Sequence, residues 1–153
     1  MSSDVGHADR GAAAEAGWRA MYQLVAEREA HRRILEAGEA IGVTPGVIKA
    51  LMQLTPESPL AMKELAERFR CDSSYVTNLV DGLEEAGLGE RQPHPSDRRI
   101  KMVALTPQGV DALGQVRKIV DAPPEWFRVL SDADLDQLRT LLGKLLAAQA
   151  ETP

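Results

Sequence analysis

Cysteine is nearly missing from this sequence: Cys71 stands alone in 153 residues, so no internal disulfide is possible. The three histidines, His7, His31 and His94, are scattered without the close pairing that a zinc site usually needs, and no metal is expected. No apolar run approaches the length that crosses a bilayer, so no membrane partner is expected. The N-terminus has no basic start followed by an apolar block and does not read as a secretory signal. Cytoplasmic residence is the simpler expectation. Catalytic signatures are missing too. With no Gly-x-Ser-x-Gly, phosphate loop or His-Glu-x-x-His, neither an enzyme nor a resident cofactor is expected.

An overall basic excess is also lacking. The formal charge is −5, which counts mildly against nucleic acid, because affinity for it rests on cations that displace counterions from phosphates. What the chain has instead is local. Between residues 91 and 101, Arg91, Arg98, Arg99 and Lys101 are offset by one acid, Asp97, a balance of +3. With 44% hydrophobic and 27% charged residues, the length suits a single ordered domain of ordinary size.

Residues 12–40 are rich in alanine and charge, lack proline, and carry Trp18, Met21, Tyr22, Leu24 and Val25 at helical spacing. They predict one long helix whose apolar stripe lapses over residues 27–33 and resumes at Ile34 and Leu35. After Gly42, Thr44-Pro45 supplies an N-cap and the residue best suited to a first helical position, opening a helix that runs to about Leu54 and buries Val47, Ile48, Leu51 and Met52. Pro56 and Pro59 mark a connection. The next helix buries Leu60, Met62, Leu65, Ala66 and Phe69, and ends where Asp72 or Ser73 caps its successor. Over residues 73–86, Val76, Leu79, Val80 and Leu83 form one stripe, while Ser74, Tyr75, Thr77, Asn78 and Asp81 fall elsewhere. Gly87 suits a left-handed cap with Leu88 folding back. Strands over residues 88–92 and 100–106 then flank a polar tip as a β-hairpin. Thr106-Pro107 opens a further helix that Pro123-Pro124 ends, and Ser131 with Asp134 opens the last.

Helix, helix, short polar turn, helix, hairpin is the winged helix-turn-helix plan, whose second helix of the pair enters the major groove. The expected fold is mainly α with a small β-hairpin wing, dimerised through its N- and C-terminal helices. Residues 1–10 are expected to be a flexible tail, residues 11–41 and 107–150 the helical dimerisation region, and residues 42–106 the DNA-binding region. On the recognition helix, Ser73, Ser74 and Thr77 are short donors for phosphates or base edges, Asn78 suits an adenine, and Tyr75 suits backbone or base. At the wing, Arg98 or Arg99 can place a guanidinium in the negative minor groove, with Arg91 and Lys101 adding charge. Lys63, Arg68 and Arg70 are further candidates for phosphate contacts, with plain surface charge as the equal alternative. Asp97 would be a liability beside phosphates unless it holds Arg99 in position.

At these residues the sequence resembles the MarR family of bacterial regulators. The phrases that carry the resemblance are Leu65-Ala66-Glu67-Arg68, Val76-Thr77-Asn78-Leu79-Val80-Asp81-Gly82-Leu83-Glu84 and Gly87-Leu88. Asp97-Arg98-Arg99, Val103-Ala104-Leu105-Thr106 and Gly109 look like the family's Asp-x-Arg wing and Leu-Thr-x-x-Gly phrase. Asn78 and Gly82 depart from it, standing where basic residues are common. The resemblance implies a repressor that binds inverted-repeat operators on double-stranded DNA as a homodimer, released by a small-molecule effector. The expected effector pocket lies where the long first helix and the second helix meet the reading module. Trp18, His31 and Arg32 are the candidate contacts, suited with Arg33 to an anionic aromatic molecule if they point inward; solvation of that face is the simpler reading.

Leu135, Leu138, Leu142 and Leu145 follow a seam that, with Trp126, is expected to form the dimer interface; packing within one chain is the plainer option. Cys71 reads as packing before it reads as a redox site. The alternative function is a winged-helix protein-interaction module that has lost DNA binding, which the acidic net charge keeps open.

Overall fold

A computed structural model describes residues 3–26 and 29–151. Among these, the elements run α1 (Ser3–Ala26), α2 (Glu29–Ile41), α3 (Pro45–Leu51), β1 (Leu60–Ala61), α4 (Met62–Phe69), α5 (Ser73–Glu85), β2 (Gly89–Pro93), β3 (Lys101–Leu105), α6 (Pro107–Val120), a short 3-10 helix (Glu125–Val129) and α7 (Asp132–Ala150). The fold is mainly helical with a small sheet, as the sequence implies. Two details at the start differ. Helix α1 begins at Ser3, inside the stretch expected to be a tail, and the single helix expected over residues 12–40 appears as α1 and α2, with residues 27 and 28 outside the described ones. The chain divides into two compact units, one up to Asp121 and one from Ala122.

In the first unit the core runs from Ile34 to Val116. Ile48, Leu51, Leu54, Leu65, Val76, Val80, Leu83, Val103 and Val116 are its largest fully buried side chains. Each such burial is worth roughly 1.5–3 kcal/mol. The periodic stripe expected for α5 is buried as Val76, Leu79, Val80 and Leu83. Helices α3 and α5 meet through two glycines. A Cβ on Gly82 would stand 2.6 Å from Val47 Cγ2, and one on Gly46 would stand 2.9 Å from Leu79 Cδ2. Gly82 therefore marks helix contact at a half-buried position, which corrects its treatment as a missing DNA-facing cation.

Helix ends follow the capping chemistry in the sequence. Thr44, Asp72 and Thr106 cap α3, α5 and α6 by accepting from Val47 N, Tyr75 N and Gly109 N, and proline opens α3 and α6. Gly87, at φ +69°, closes α5 with Leu88 N–H donating to Leu83 O at 2.8 Å and Gly87 N–H to Glu84 O at 2.9 Å.

The sheet has three antiparallel strands in the order β1-β3-β2, with Leu60 opposite Val103 and Arg91 opposite Val103 from the other side. The expected hairpin is present. Its third strand, β1, takes Leu60 out of the helix where periodicity put it: two residues show no alternation, and only their distant partner makes them a strand.

The Leu-Thr-x-x-Gly phrase is the joint at the wing's base. The Thr106 hydroxyl donates to Gly87 O at 2.6 Å and accepts from Gly109 N–H at 3.0 Å, while Thr106 N–H donates to Leu88 O at 3.1 Å. A Cβ on Gly109 would lie 1.8 Å from Leu88 O, so only glycine fits.

In the second unit, Ser131 and Asp134 form a capping box at the start of α7, and the hydrogen bonds from Ser131 hold the Asp134 carboxyl below its ordinary pKa. No described residue of α7 is buried.

Candidate nucleic-acid interface

Helix α5 is two-faced. Opposite its buried stripe, Ser73, Ser74, Tyr75, Thr77 and Asn78 are all exposed. They are not equally free. The Thr77 hydroxyl donates back to Ser73 O at 2.9 Å, leaving its lone pairs for an incoming donor. The Tyr75 hydroxyl lies 3.4 Å from where a Cβ on Gly46 would stand, so this ring leans toward α3. Ser73, Ser74, Tyr75 and Asn78 are the members of this face with no side-chain hydrogen bond among the described residues.

The wing tip is built by short-range bonds. Ile100 N–H donates to Asp97 O at 3.0 Å, His94 N–H donates to Ile100 O at 3.0 Å, and Ser96 N–H donates to His94 Nδ1 at 3.2 Å. Asp97 grips Arg99 three times: Oδ1 accepts from Arg99 N–H and Nε, and Oδ2 from Nη2, all at 3.0 Å. These bonds from Arg99 hold the Asp97 carboxyl below its ordinary pKa and raise that of Arg99. The geometry is bidentate, yet the Arg99 side chain stays 92% exposed. The sequence assigned Asp97 this task, and here the guanidinium is aimed without being buried.

Arg91 stands apart from the other wing cations. Its guanidinium donates to Asp81 Oδ1 at 2.6 Å, to Glu84 Oε2, and to Thr77 O at 3.2 Å, while its backbone N–H donates to Glu84 Oε1 at 2.9 Å. Partial burial works against its charge, but the hydrogen bonds and fields of Asp81 and Glu84 outweigh it and raise its pKa. Arg91 braces β2 against α5, so its charge is taken up within the protein rather than offered to phosphates. Among the described residues, Arg98 and Lys101 are the wing cations that meet no carboxylate. The local balance read from sequence overstated the free charge because Asp81 and Glu84 come from another element.

Trp18, His31 and Arg32 do not converge on a cavity. Trp18 is 64% exposed, with its ring 6.5 Å from that of Tyr22. His31 is exposed, and Arg32 donates to Glu29 and Glu36 on its own helix. Arg33, only 12% exposed, bonds Glu29 and donates to Ile119 O at 2.6 Å, near the end of α6. These two arginines hold the Glu29 carboxyl down at about 2. Part of the lapse in the apolar stripe is thus an ion-pair cluster. A cleft of about 560 Å³ lies elsewhere, between α2, α3 and α5, with Leu35, Val43, Val47 and Ala86 on its walls and Glu39 and Glu85 at its edge. It lies where the first and second helices expected from the sequence meet the recognition helix, the place expected for a pocket, but Trp18, His31 and Arg32 do not line it.

Of the residues assigned to an interface between copies, Leu135, Leu142, Leu145 and Trp126 are exposed and Leu138 is half-buried. Trp126 stacks at a tilt on Phe127, ring centroids 4.8 Å apart. Cys71 is half-buried against the core, as packing requires.

The family model for the MarR family matches residues 43–101. A putative transcriptional regulatory protein for the hcr operon of Thauera aromatica is 36% identical over 73% of this chain and 68% of its own length. The HTH-type transcriptional repressor MdtR of Bacillus subtilis is 33% identical over 78% of this chain and 77% of its own. Among solved structures, wild-type apo MarR from E. coli superimposes with a TM-score of 0.66 at 26% identity, covering 77% of this chain and 88% of that one. The motif residues, the winged fold and these relatives agree: the chain belongs to the MarR family of transcriptional regulators.

Proposed function

We propose that the protein is a repressor that binds inverted-repeat operators as a homodimer, each protomer laying α5 in a major groove and its wing tip in the flanking minor groove. The observation that carries this is the pairing of an exposed polar face on α5 with a wing tip whose Arg99 is oriented by Asp97 and whose Arg98 is unpaired among the described residues. Ser73, Ser74, Asn78 and Thr77 are assigned to bases and phosphates, Tyr75 to the backbone near α3, and Arg98, Arg99 and Lys101 to the wing contact. Arg91 places the wing. Repression is favoured by the name of the Bacillus subtilis relative. The homodimer is favoured by the leucines that α7 leaves exposed.

Footprinting the DNA upstream of the protein's own reading frame is the direct test. A protected inverted repeat, with half-sites about one helical turn apart, is expected. No protection anywhere in that region, together with a partner protein held by α5, would favour the interaction-module alternative.

An effector that releases DNA must bind better to a form that does not fit the operator. The cleft against α5 is the better candidate than Trp18, His31 and Arg32, and Glu39 and Glu85 favour a cationic amphipathic molecule over an anionic one. Release of DNA by a cationic aromatic dye from the native protein but not from a Glu39→Gln, Glu85→Gln variant is expected; equal release from both discards the cleft.

A further inference from the structure

Three helices of the first unit end on a left-handed residue. Two use glycine, Gly42 at φ +74° and Gly87 at φ +69°. The third, α4, ends on Arg70 at φ +50° and ψ +43°, the one non-glycine residue with positive φ among those described. This residue sits in the turn of the helix-turn-helix, two positions before Asp72, which caps α5. Its N–H donates to Glu67 O at 3.1 Å, and Cys71 N–H donates to Ala66 O at 3.2 Å, so the turn geometry is that of a glycine cap. A Cβ is disfavoured there, and glycine would satisfy the same backbone bonds without it.

The side chain finds no compensation within the chain. It is exposed and, among the described residues, has neither a hydrogen bond nor a carboxylate partner. Arg68, two residues earlier, is the contrast: it bonds Glu64 at 2.7 Å and Gln53 O at 3.2 Å. A strained backbone that carries an unpaired guanidinium at the leading end of a recognition helix is what a binding contact leaves behind in the unbound protein.

We infer that Arg70 is a DNA phosphate contact, kept in the turn at the expense of local stability. The inference rests on the DNA-binding function proposed above. Its rival is a favourable interaction of Arg70 with the C-terminal dipole of α4, and the two predict opposite signs. If Arg70 serves DNA, Arg70→Gly melts about 2–4 °C higher, yet binds a mixed-sequence duplex at low salt several-fold more weakly. Its plot of log affinity against log salt flattens by about 0.9 per protomer. Arg70→Gln, which keeps the Cβ and loses the charge, shows the same flattening with no gain in melting temperature. Arg70→Lys keeps the slope. A lower melting temperature for Arg70→Gly, or unchanged affinity and slope in both the Gly and Gln variants, overturns the inference.

An Arg98→Ala, Arg99→Ala variant run in parallel separates the two failures. Loss of affinity in that variant but not in the Arg70 variants defeats the Arg70 contact alone. Failure of the native protein to bind the duplex defeats both.

Discussion

The stretch from Ile34 to Val116 and the helices at the chain's two ends are built on opposite terms. Every buried hydrophobic side chain among the described residues lies in the former. Helix α1 leaves Trp18, Tyr22 and Leu24 exposed, and α7 leaves Leu135, Leu141, Leu142, Leu145 and Leu146 exposed. The former builds a core of its own, although Leu35, Tyr75, Ile100 and Val110 stay exposed, and the others carry apolar surface that a second copy is proposed to cover. The contrast teaches where rigidity resides. The groups proposed to meet DNA stand on the region that has its own core, which is what accurate placement of a wing beside a helix needs.

The largest effect expected from this contrast is in the core. Leu83→Ala should cost about 2–5 kcal/mol in chemical denaturation, whereas Leu145→Ala should change the midpoint little at high protein concentration. Equal losses would erase the distinction. Next, Leu142→Asp should convert a species of twice the chain mass, by light scattering, into monomers that retain helical circular dichroism at lower stability, with a melting temperature that depends on concentration only in the native protein. A native monomer at micromolar concentration would break the comparison outright.

Smaller effects test the bracing of the wing. Arg91→Ala should lower stability by about 1 kcal/mol, discounted for the partial exposure of its partners. It should also weaken DNA binding by loosening the wing, since the Arg91 charge is taken up by Asp81 and Glu84. Asp97→Asn should reduce affinity a few-fold while leaving the melting temperature unmoved, since it frees Arg99 without removing its charge.

The smallest effect is acid sensitivity. The Glu29 carboxyl is held at about 2 against an ordinary 4.5, so its contribution is fully present above about 4.5 and is lost as pH falls toward 2. Glu29→Gln should lower the melting temperature slightly near neutrality, where the contribution is present, and converge on the native protein toward pH 2, so that its profile is flatter in that window. An unaltered acid limb would show that the exposed cluster contributes nothing.

Much of this was legible in the sequence for identifiable reasons. The caps at Thr44, Asp72, Thr106 and Ser131 are local chemistry, and the α5 stripe is a local period. So is the Asp97 grip on Arg99, which spans two residues. What escaped depends on partners distant in the chain. Strand β1 exists through Val103, Arg91 is neutralised by residues of α5, and Gly82 faces Val47. The left-handed backbone of Arg70 escaped for another reason: nothing in its residue type announces it.

The salt dependence of DNA binding, compared between the native protein and Arg98→Ala, Arg99→Ala, tests the wing most directly. A slope flatter by about 0.9 for each cation removed, with folding intact, is the predicted result. Identical slopes and affinities in a folded variant would contradict it.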